Sequence, residues 1–188
     1  VLASASPRRK SLLEWAELEF DILVRETDET FPPGLSPEEA AIFIARGKAF
    51  ATREMDLYKR YELDMPVLAA DTMVVLSGEI IGKPADREDA INILSRLSGK
   101  EHLVITGVVI LNAEKEISFA DTTRVVFNQI SATDISYYVD KYKPFDKAGA
   151  YAIQEWIGVI GIQSIHGDFY NVMGLPVSRV VTALAENF

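Results

Sequence analysis

The stretch Val67-Leu68-Ala69-Ala70-Asp71-Thr72-Met73-Val74-Val75-Leu76 is typical of a long apolar strand interrupted by one carboxylate. We predict a strand over 66–76. Patterns of helix and strand alternate along the chain on both sides of it. Strands that alternate with helices predict an α/β protein, and a hairpin between two of the strands predicts a mixed sheet.

The other predicted elements follow from capping residues and apolar runs. Ser36-Pro37-Glu38-Glu39 is a capping box that opens a helix reaching about Tyr58. Asp86 and Ser131 are predicted to cap two further helices. Apolar runs predict additional strands, with a hairpin between the third and the fourth of them: 1–3, 20–24, 102–111, 117–127 and 156–165.

Length and composition predict a single domain over residues 1–188. The chain is 48% hydrophobic, which excludes a disordered protein, and no apolar run reaches the ~18 residues of a membrane span. The net charge of −9 argues against a nucleic-acid partner. The chain has no cysteine, which excludes disulfides and thiol catalysis and fits a reducing cytoplasm. Because the first residue is Val1 rather than Met, we expect a few native residues before it.

Cations stand at two unexpected places. Arg8 and Arg9 follow a Ser-rich loop in the predicted first helical turn, where the helix dipole disfavours cations by ~0.3–1 kcal/mol each. This favours an anion site, although exposed arginines paired with acids such as Glu14 would give the same pattern. Lys48 lies within the apolar stripe of its helix, and a snorkelling side chain is the alternative to a functional role.

Asp71 is the sharpest single feature, because burying a carboxylate costs free energy unless it binds a metal, a cation or hydrogen-bond donors. An Asp that ends a strand and caps a turn is the competing interpretation. Gly82-Lys83-Pro84 lacks the spacing and the hydroxyl of a P-loop, so Lys83 is a cation in a turn. Gln154 offers both a donor and an acceptor, as base recognition needs, or it is a surface amide.

Metal chemistry is restricted by the residue types available. With two His, no Cys and no His-Glu-x-x-His motif, a zinc site is not expected. Any metal should therefore be a hard cation held by carboxylates and phosphates, which means Mg²⁺ or Mn²⁺.

Six segments in series resemble the Maf family of nucleoside triphosphate pyrophosphatases. Each is weak evidence alone, but together they span almost the whole chain in the expected order. They are Ser4-Ala5-Ser6-Pro7-Arg8-Arg9, Lys48 in its helix, Ala69-Ala70-Asp71-Thr72, Gly82-Lys83-Pro84, Asp146-Lys147-Ala148-Gly149-Ala150-Tyr151 and Tyr170-Asn171-Val172-Met173-Gly174-Leu175-Pro176.

The resemblance implies a fold like that of Maf proteins and inosine triphosphatases, with a twisted mixed sheet, flanking helices and two lobes around a central substrate cleft. It implies a cytoplasmic enzyme, frequently a homodimer, that uses a divalent metal. The implied reaction converts a nucleoside triphosphate and water to the monophosphate and pyrophosphate. Tyr151-Ala152-Ile153-Gln154 is similar to the subgroup that acts on dTTP and UTP, and the family's house-cleaning role adds modified pyrimidine nucleotides.

The resemblance also implies roles for individual residues. Asp71 is the general base or a metal-organising carboxylate, and Glu29 is a second acidic group and metal ligand. Lys83 completes the catalytic set and, with Arg8, contacts phosphates. Glu155 departs from the Gly often found after the Gln of this motif. The implied substrate-binding residues are Ser4, Arg8, Arg9, Lys48, Thr72 and Gln154.

Two other classes of function stay open. A nucleotide-binding regulator of cell division or septum formation would bind triphosphates without significant turnover, which an assay for pyrophosphate detects. A scaffold of cell division would tolerate the loss of Asp71 and Lys83. We favour the enzyme, because a scaffold has no need of a carboxylate inside an apolar strand.

Overall fold

A computed structural model describes residues 1–61 and 64–188, in which helices and strands alternate. None of the described helices is both long and apolar enough to cross a membrane. The α-helices are α1 (Pro7–Trp15), α2 (Pro37–Arg53), α3 (Arg87–Leu97), α4 (Ala132–Tyr142), α5 (Trp156–Gly161), α6 (Phe169–Met173) and α7 (Val177–Asn187). The strands are β1 (Val67–Leu76), β2 (Glu79–Ile81), β3 (Glu101–Leu111), β4 (Glu116–Phe127) and β5 (Ile162–His166), and 3-10 turns lie at Tyr58–Arg60 and Ala148–Ala150.

Within the described residues, the strands form a five-stranded sheet in the order β2-β1-β3-β4-β5. β1 pairs antiparallel with β2, and β4 pairs antiparallel with β5. Leu2 adds parallel bridges to Leu68 on β1 and to Ile22. The α/β class with a mixed sheet and flanking helices is therefore confirmed.

The capping residues mark the helix starts correctly. The Ser36 hydroxyl accepts a hydrogen bond from the Glu39 backbone N–H, and the Glu39 carboxylate accepts one from the Ser36 N–H, which completes the capping box of α2. The Asp86 carboxylate caps α3 by accepting from the Asp89 backbone N–H, and the Ser131 hydroxyl caps α4 by accepting from the Asp134 backbone N–H. Each such cap contributes about 1 kcal/mol to helix stability.

Three predicted strands and one helix end are wrong. The segment 1–3 pairs through bridges at Leu2 and is not one of the five strands. The run 156–165 forms α5 before β5 begins at Ile162, because a short apolar run does not distinguish a buried helix from a strand. The segment 20–24 pairs only through the bridge at Ile22, so it forms no extended strand. α2 ends at Arg53, and Tyr58 belongs to a separate 3-10 turn.

The described chain divides into two compact units. The first comprises Val1–Thr72, Thr106–Asp121 and Gly174–Phe188, and the second comprises Met73–Ile105 and Thr122–Met173. The core of the first unit includes Ala45, Val67 and Val109. In the second unit α3 packs against α4. The single domain over 1–188 and the central cleft stay predictions.

In the first unit, α2 lies directly against β3 at Gly107. A Cβ built on Gly107 would lie 2.4 Å from the Ala41 carbonyl carbon and from the Ile42 nitrogen. No side chain fits at that separation, so glycine alone allows the helix backbone to approach the strand this closely. The contact fixes the depth at which α2, the helix that carries Lys48, is seated in this unit.

Candidate active site

Lys48, Asp71 and Glu29 form a charged cluster in the first unit. Lys48 Nζ lies 2.6 Å from Asp71 Oδ1 and 2.7 Å from Glu29 Oε1. The Asp71 and Lys48 side chains are 14% and 16% exposed, whereas that of Glu29 is 45% exposed. Asp71 lies in the middle of β1, so its interpretation as a strand-terminal turn cap is wrong.

The position of Lys48 on α2 explains this pairing. Lys48 lies one turn beyond the buried Ile44 on the same face of the helix, which directs its stem inward. The ammonium ends against two carboxylates instead of reaching only solvent as in the snorkelling alternative. Lys48 and Asp71 compensate each other's desolvation, because either charge alone at this depth would be costly.

Arg9 is a buried guanidinium that connects three parts of the first unit. Its Nε donates to the Gly174 carbonyl at 2.8 Å, and its terminal nitrogens donate to Ser4 Oγ at 3.1 Å and Thr72 Oγ1 at 3.0 Å. These bonds use three of the five N–H groups of a guanidinium. Burial lowers the pKa of Arg9 from its ordinary value, and the negative charge of Asp71 acts in the opposite direction. The side chain remains a cation at neutral pH.

Hydrogen bonds connect Arg9 through its partners to the two strands β1 and β3 of the sheet. Thr72 follows Asp71 on β1, and its Oγ1 lies 3.0 Å from Thr106 Oγ1 on β3. Ser4 Oγ also accepts from the Ser6 N–H at 3.2 Å. Arg9 therefore fixes both the loop that precedes α1 and the residue next to Asp71.

The first turn of α1 contains basic residues and no acidic ones, as the sequence predicts. Lys10 forms a surface ion pair with Glu14 at 3.5 Å, which fits the alternative of exposed cations that pair locally. Arg9 does not fit that alternative, because it is buried. Arg8 is partly exposed beside it.

Lys83 lies in the second unit, in an exposed turn after β2. The Gly82 carbonyl of this turn accepts a hydrogen bond from the Gly149 N–H at 3.1 Å. Gly149 has φ +71°, and a Cβ there would lie 2.9 Å from the Val74 side chain. Glycine is therefore needed at 149 for a contact that joins two of the motif segments.

Gln154 is exposed on a tight turn of the second unit. The turn is closed by a hydrogen bond from the Glu155 N–H to the Ala152 carbonyl at 3.1 Å. An exposed amide on such a turn is available to a ligand. The geometry of the turn alone does not distinguish base recognition from a plain surface amide.

A buried aromatic cluster lies beside the segment that leads into this turn. His102 Nε2 is 2.7 Å from Tyr151 Oη, and the rings of His102, Tyr151 and Phe127 meet edge to face. Burial lowers the pKa of His102 to about 4 and raises that of the Tyr151 phenol. At neutral pH the histidine is therefore neutral and Tyr151 keeps its proton, which it can donate to Nε2.

The predicted site residues divide between the two units. In the first unit, electrostatic interactions with Arg9 connect Arg8, Asp71 and Glu29. Hydrogen bonds and ion pairs connect the other predicted site residues of that unit, which are Ser4, Lys48 and Thr72. Lys83 and Gln154 lie in the second unit. The set in the first unit is Ser4, Arg8, Arg9, Glu29, Lys48, Asp71 and Thr72.

The two predicted metal ligands fit a hard cation only with help from a substrate. In residues 1–61 and 64–188, no group of three or more His, Cys, Asp or Glu could hold a metal ion. Lys48 contacts one oxygen of Asp71 and one of Glu29, so the two carboxylates lie side by side around one cation. One or two carboxylates completed by phosphate oxygens and water is the donor set that Mg²⁺ commonly takes.

A profile of the Maf-like protein family matches residues 1–187. The chain belongs to the Maf family. This Maf chain is also similar to proteins named dTTP/UTP pyrophosphatase. That of Cytophaga hutchinsonii is 46% identical over 100% of this chain and 84% of its own length. Those of Parabacteroides distasonis (45%) and Bacteroides thetaiotaomicron (46%) match over 98% and 99% of this chain and 93% and 94% of their own lengths.

Three further residues of this Maf chain have no role predicted from the sequence: two of them contact predicted site residues, and the third contacts the turn that carries Gln154. Thr106 is a hydroxyl inside the apolar run 103–111, which is the same kind of signal that identified Asp71. Gly174, whose carbonyl accepts from Arg9, lies in a family motif and has φ +119°. Tyr138 contacts both ends of the Gln154 turn. A tyrosine on an amphipathic helix gives no sequence signal for such a contact.

Proposed function

We propose that this Maf protein hydrolyses dTTP and UTP to the monophosphate and pyrophosphate. The observation that carries the proposal is the Lys48–Asp71–Glu29 cluster. Lys48 Nζ lies within 2.7 Å of Glu29 and of Asp71, the carboxylate that interrupts the apolar strand β1. The names of the relatives support the substrate class, at about 45% identity over nearly the whole chain. Modified pyrimidine nucleotides are a further proposed substrate class.

The reaction cleaves the bond between the α- and β-phosphates of a substrate that carries about four negative charges near neutral pH. The protein has a net charge of −9, so local cations must offset the repulsion. Arg8, Lys48 and Lys83 are the proposed phosphate-binding cations. Arg9 contributes mainly by holding Ser4 and Thr72 in place. Such fixed charges stabilise the negative charge that moves onto the leaving pyrophosphate.

Asp71 is the proposed general base. One of its oxygens lies against Lys48, and a carboxylate has a second oxygen that can accept a proton from water. The burial of Asp71 keeps its orientation fixed and limits competing solvent. A base that orients and deprotonates the attacking water contributes ~10²–10⁴-fold to a rate.

The resemblance to metal-dependent family members supports a divalent cation, and Mg²⁺ or Mn²⁺ is the proposed ion. Glu29 would hold it together with phosphate oxygens, and Asp71 would join them in the alternative role in which it organises the metal instead of serving as the base. Such an ion supplies charge neutralisation at the phosphates and lowers the pKa of bound water. The protein's own part is to present two carboxylates and to keep Lys48 as their counter-charge when no substrate is bound.

Gln154 is the proposed base-reading residue. Uracil and thymine each present a carbonyl acceptor at position 4 beside an N–H donor at position 3, and one carboxamide can satisfy both. Cytosine reverses this pattern, so rejection of CTP should be real but limited. The 5-methyl group of thymine adds only apolar surface, so dTTP and UTP should differ by no more than roughly 1–3 kcal/mol.

Three further properties are proposed. The family resemblance supports action in the cytoplasm and a homodimer, and the sequence supports the lack of a nucleic-acid or membrane partner. The acidic composition supports the lack of a nucleic-acid partner. Sedimentation of the purified protein tests the dimer directly.

A screen of nucleoside triphosphates with detection of released pyrophosphate tests the main proposal. We expect turnover of dTTP and UTP in the presence of Mg²⁺ or Mn²⁺, with CTP and GTP slower, and loss of turnover on chelation. Tight binding of dTTP without release of pyrophosphate would instead identify a nucleotide-binding regulator. Equal turnover of all four triphosphates would remove the pyrimidine preference from the proposal.

A further inference from the structure

The turn that carries Gln154 is held at both ends by one hydroxyl. Tyr138, on α4, is fully buried, and its Oη accepts a hydrogen bond from the Ala152 N–H at 3.2 Å. The same hydroxyl donates to Glu155 Oε2. Ala152 and Glu155 are the first and last residues of the turn, and the Glu155 N–H also donates to the Ala152 carbonyl. Gln154 therefore lies in a turn whose first and last residues are hydrogen-bonded to each other and to Tyr138.

The chemistry of the three groups leaves one arrangement for the protons. A backbone amide can only donate, and an ionised carboxylate can only accept. The phenol is the group that can do both, so its O–H points to Glu155 while its lone pair faces Ala152. Phenylalanine at 138 would keep the ring and break both bonds at once.

Glu155 is itself fixed by charge. Its carboxylate lies 3.8 Å from Lys147 Nζ, and the two side chains are 22% and 10% exposed. Lys147 also pairs with Asp146 at 2.7 Å. This network explains what a glutamate does in this chain at a position where the family motif often has glycine: it supplies the acceptor that orients the Tyr138 hydroxyl.

Close packing against α5 also leaves the turn little room to shift. A Cβ on Gly158 of α5 would lie 1.8 Å from the Ile153 carbonyl oxygen, so the helix backbone lies directly against the turn. The turn is thus confined by α4 through hydrogen bonds and by α5 through contact. Its exposed member, the Gln154 amide, is the part left to meet a ligand.

We propose that Tyr138, oriented by Glu155, is a positioning residue for base selection. It fixes the direction of the Gln154 amide, and thereby the preference for bases with an acceptor at position 4 and a donor at position 3. Tyr138 itself need not touch substrate. The inference rests on the proposed function, because it assigns Tyr138 a task in reading the base.

The test compares kcat/KM for dTTP and CTP in the wild type and Tyr138→Phe, each with and without Gln154→Ala. Loss of the Tyr138 hydroxyl's bonds to Ala152 and Glu155 should lower the ratio of kcat/KM for dTTP to kcat/KM for CTP by about 2- to 12-fold. This factor corresponds to the net contribution of one hydrogen bond, here the one between the Gln154 amide and the base. The loss should appear in KM for dTTP, with kcat for CTP unchanged. In the Gln154→Ala background, Tyr138→Phe should change the ratio no further, because both act through one amide.

Two matched variants separate positioning from general destabilisation. Tyr137→Phe removes a neighbouring hydroxyl that bonds Lys141 and keeps the ring that packs on Trp156, so the ratio should not change. Glu155→Gln keeps an acceptor for the Tyr138 hydroxyl and should retain most of the ratio, whereas Glu155→Ala should lower it. The Glu155 pair decides the matter if Tyr138→Phe does not fold.

Amide hydrogen exchange provides a readout that needs no turnover. Exchange at the Ala152 and Glu155 amides should accelerate in Tyr138→Phe and not in Tyr137→Phe. An equal loss with all triphosphates, an additive effect in the Gln154→Ala background, or unchanged exchange would each overturn the inference. If the wild type releases no pyrophosphate from any triphosphate, the proposed function fails, and the base-selection role fails with it even if exchange accelerates.

Discussion

Replacing Asp71 with Asn keeps the shape of the side chain and removes its negative charge from the middle of β1. The variant keeps an oxygen that can accept from Lys48 but loses the charge on that acceptor, which costs about 1.5–3 kcal/mol. Part of this is retained, because Lys48 still pairs with Glu29 at 2.7 Å. From a typical stability of roughly 5–15 kcal/mol, such a loss leaves nearly all molecules folded.

A change in folding therefore cannot explain a large loss of activity in this variant. We expect kcat for dTTP to fall by ~10²–10⁴ if Asp71 is the general base. The assay is pyrophosphate release at saturating dTTP and Mg²⁺, with the unfolding temperature recorded in parallel. Asp140→Asn is the matched control, because it breaks the exposed Arg87–Asp140 ion pair on α3 and α4 and should leave kcat unchanged. A folded Asp71→Asn protein with nearly normal kcat would refute the reasoning.

Three other expectations can be measured with the same protein. Lys83→Ala should lower kcat/KM for dTTP and UTP by the same factor, since a phosphate contact does not sense the base; a selective loss would contradict this. Gln154→Ala should lower kcat/KM for dTTP and UTP more than for CTP and GTP, and a uniform loss in all four would show that this side chain does not read the base. Burial lowers the pKa of His102 to about 4, below its ordinary value of about 6.5. Between these two pH values the unfolded chain therefore binds a proton at His102 more readily than the folded protein does. The stability that the neutral His102 contributes is thus fully present above pH ~6.5 and is lost as the pH falls toward 4. In denaturant titrations, the free energy of unfolding should fall from pH 7 to pH 5 by about 1–2 kcal/mol more in the wild type than in His102→Gln.

The parts of the site that the sequence predicts are those where a local pattern is broken. Asp71 interrupts an apolar strand, and Lys48 interrupts an apolar helix face, and the two lie 2.6 Å apart. Each of these charged residues can be identified from the sequence by itself, because burying a charge without a partner is costly and therefore needs an explanation. Their pairing needs the seating of α2 in the first unit, which no local pattern contains.

The errors have a different physical origin. The run 156–165 is rich in branched apolar residues, and its first part becomes α5 because Gly158 and Gly161 are buried in close packing. Tertiary contacts of this kind override local preference. The role of the Tyr138 hydroxyl cannot be predicted from the sequence for the same reason, since Ala152 and Glu155, which it bonds, come from another segment.

In a saturation mutagenesis screen, substitutions at Gly107 should lower activity as substitutions of catalytic residues do, although Gly107 has no chemical role. Even alanine there would bring its Cβ to 2.4 Å from the α2 backbone, so α2 must shift, and Lys48 lies on that helix less than two turns after Ile42. A misplacement of about 1 Å can cost on the order of 10²-fold in rate. Such a screen would therefore show that position 107 tolerates only glycine, because the lack of a side chain is what lets α2 pack there.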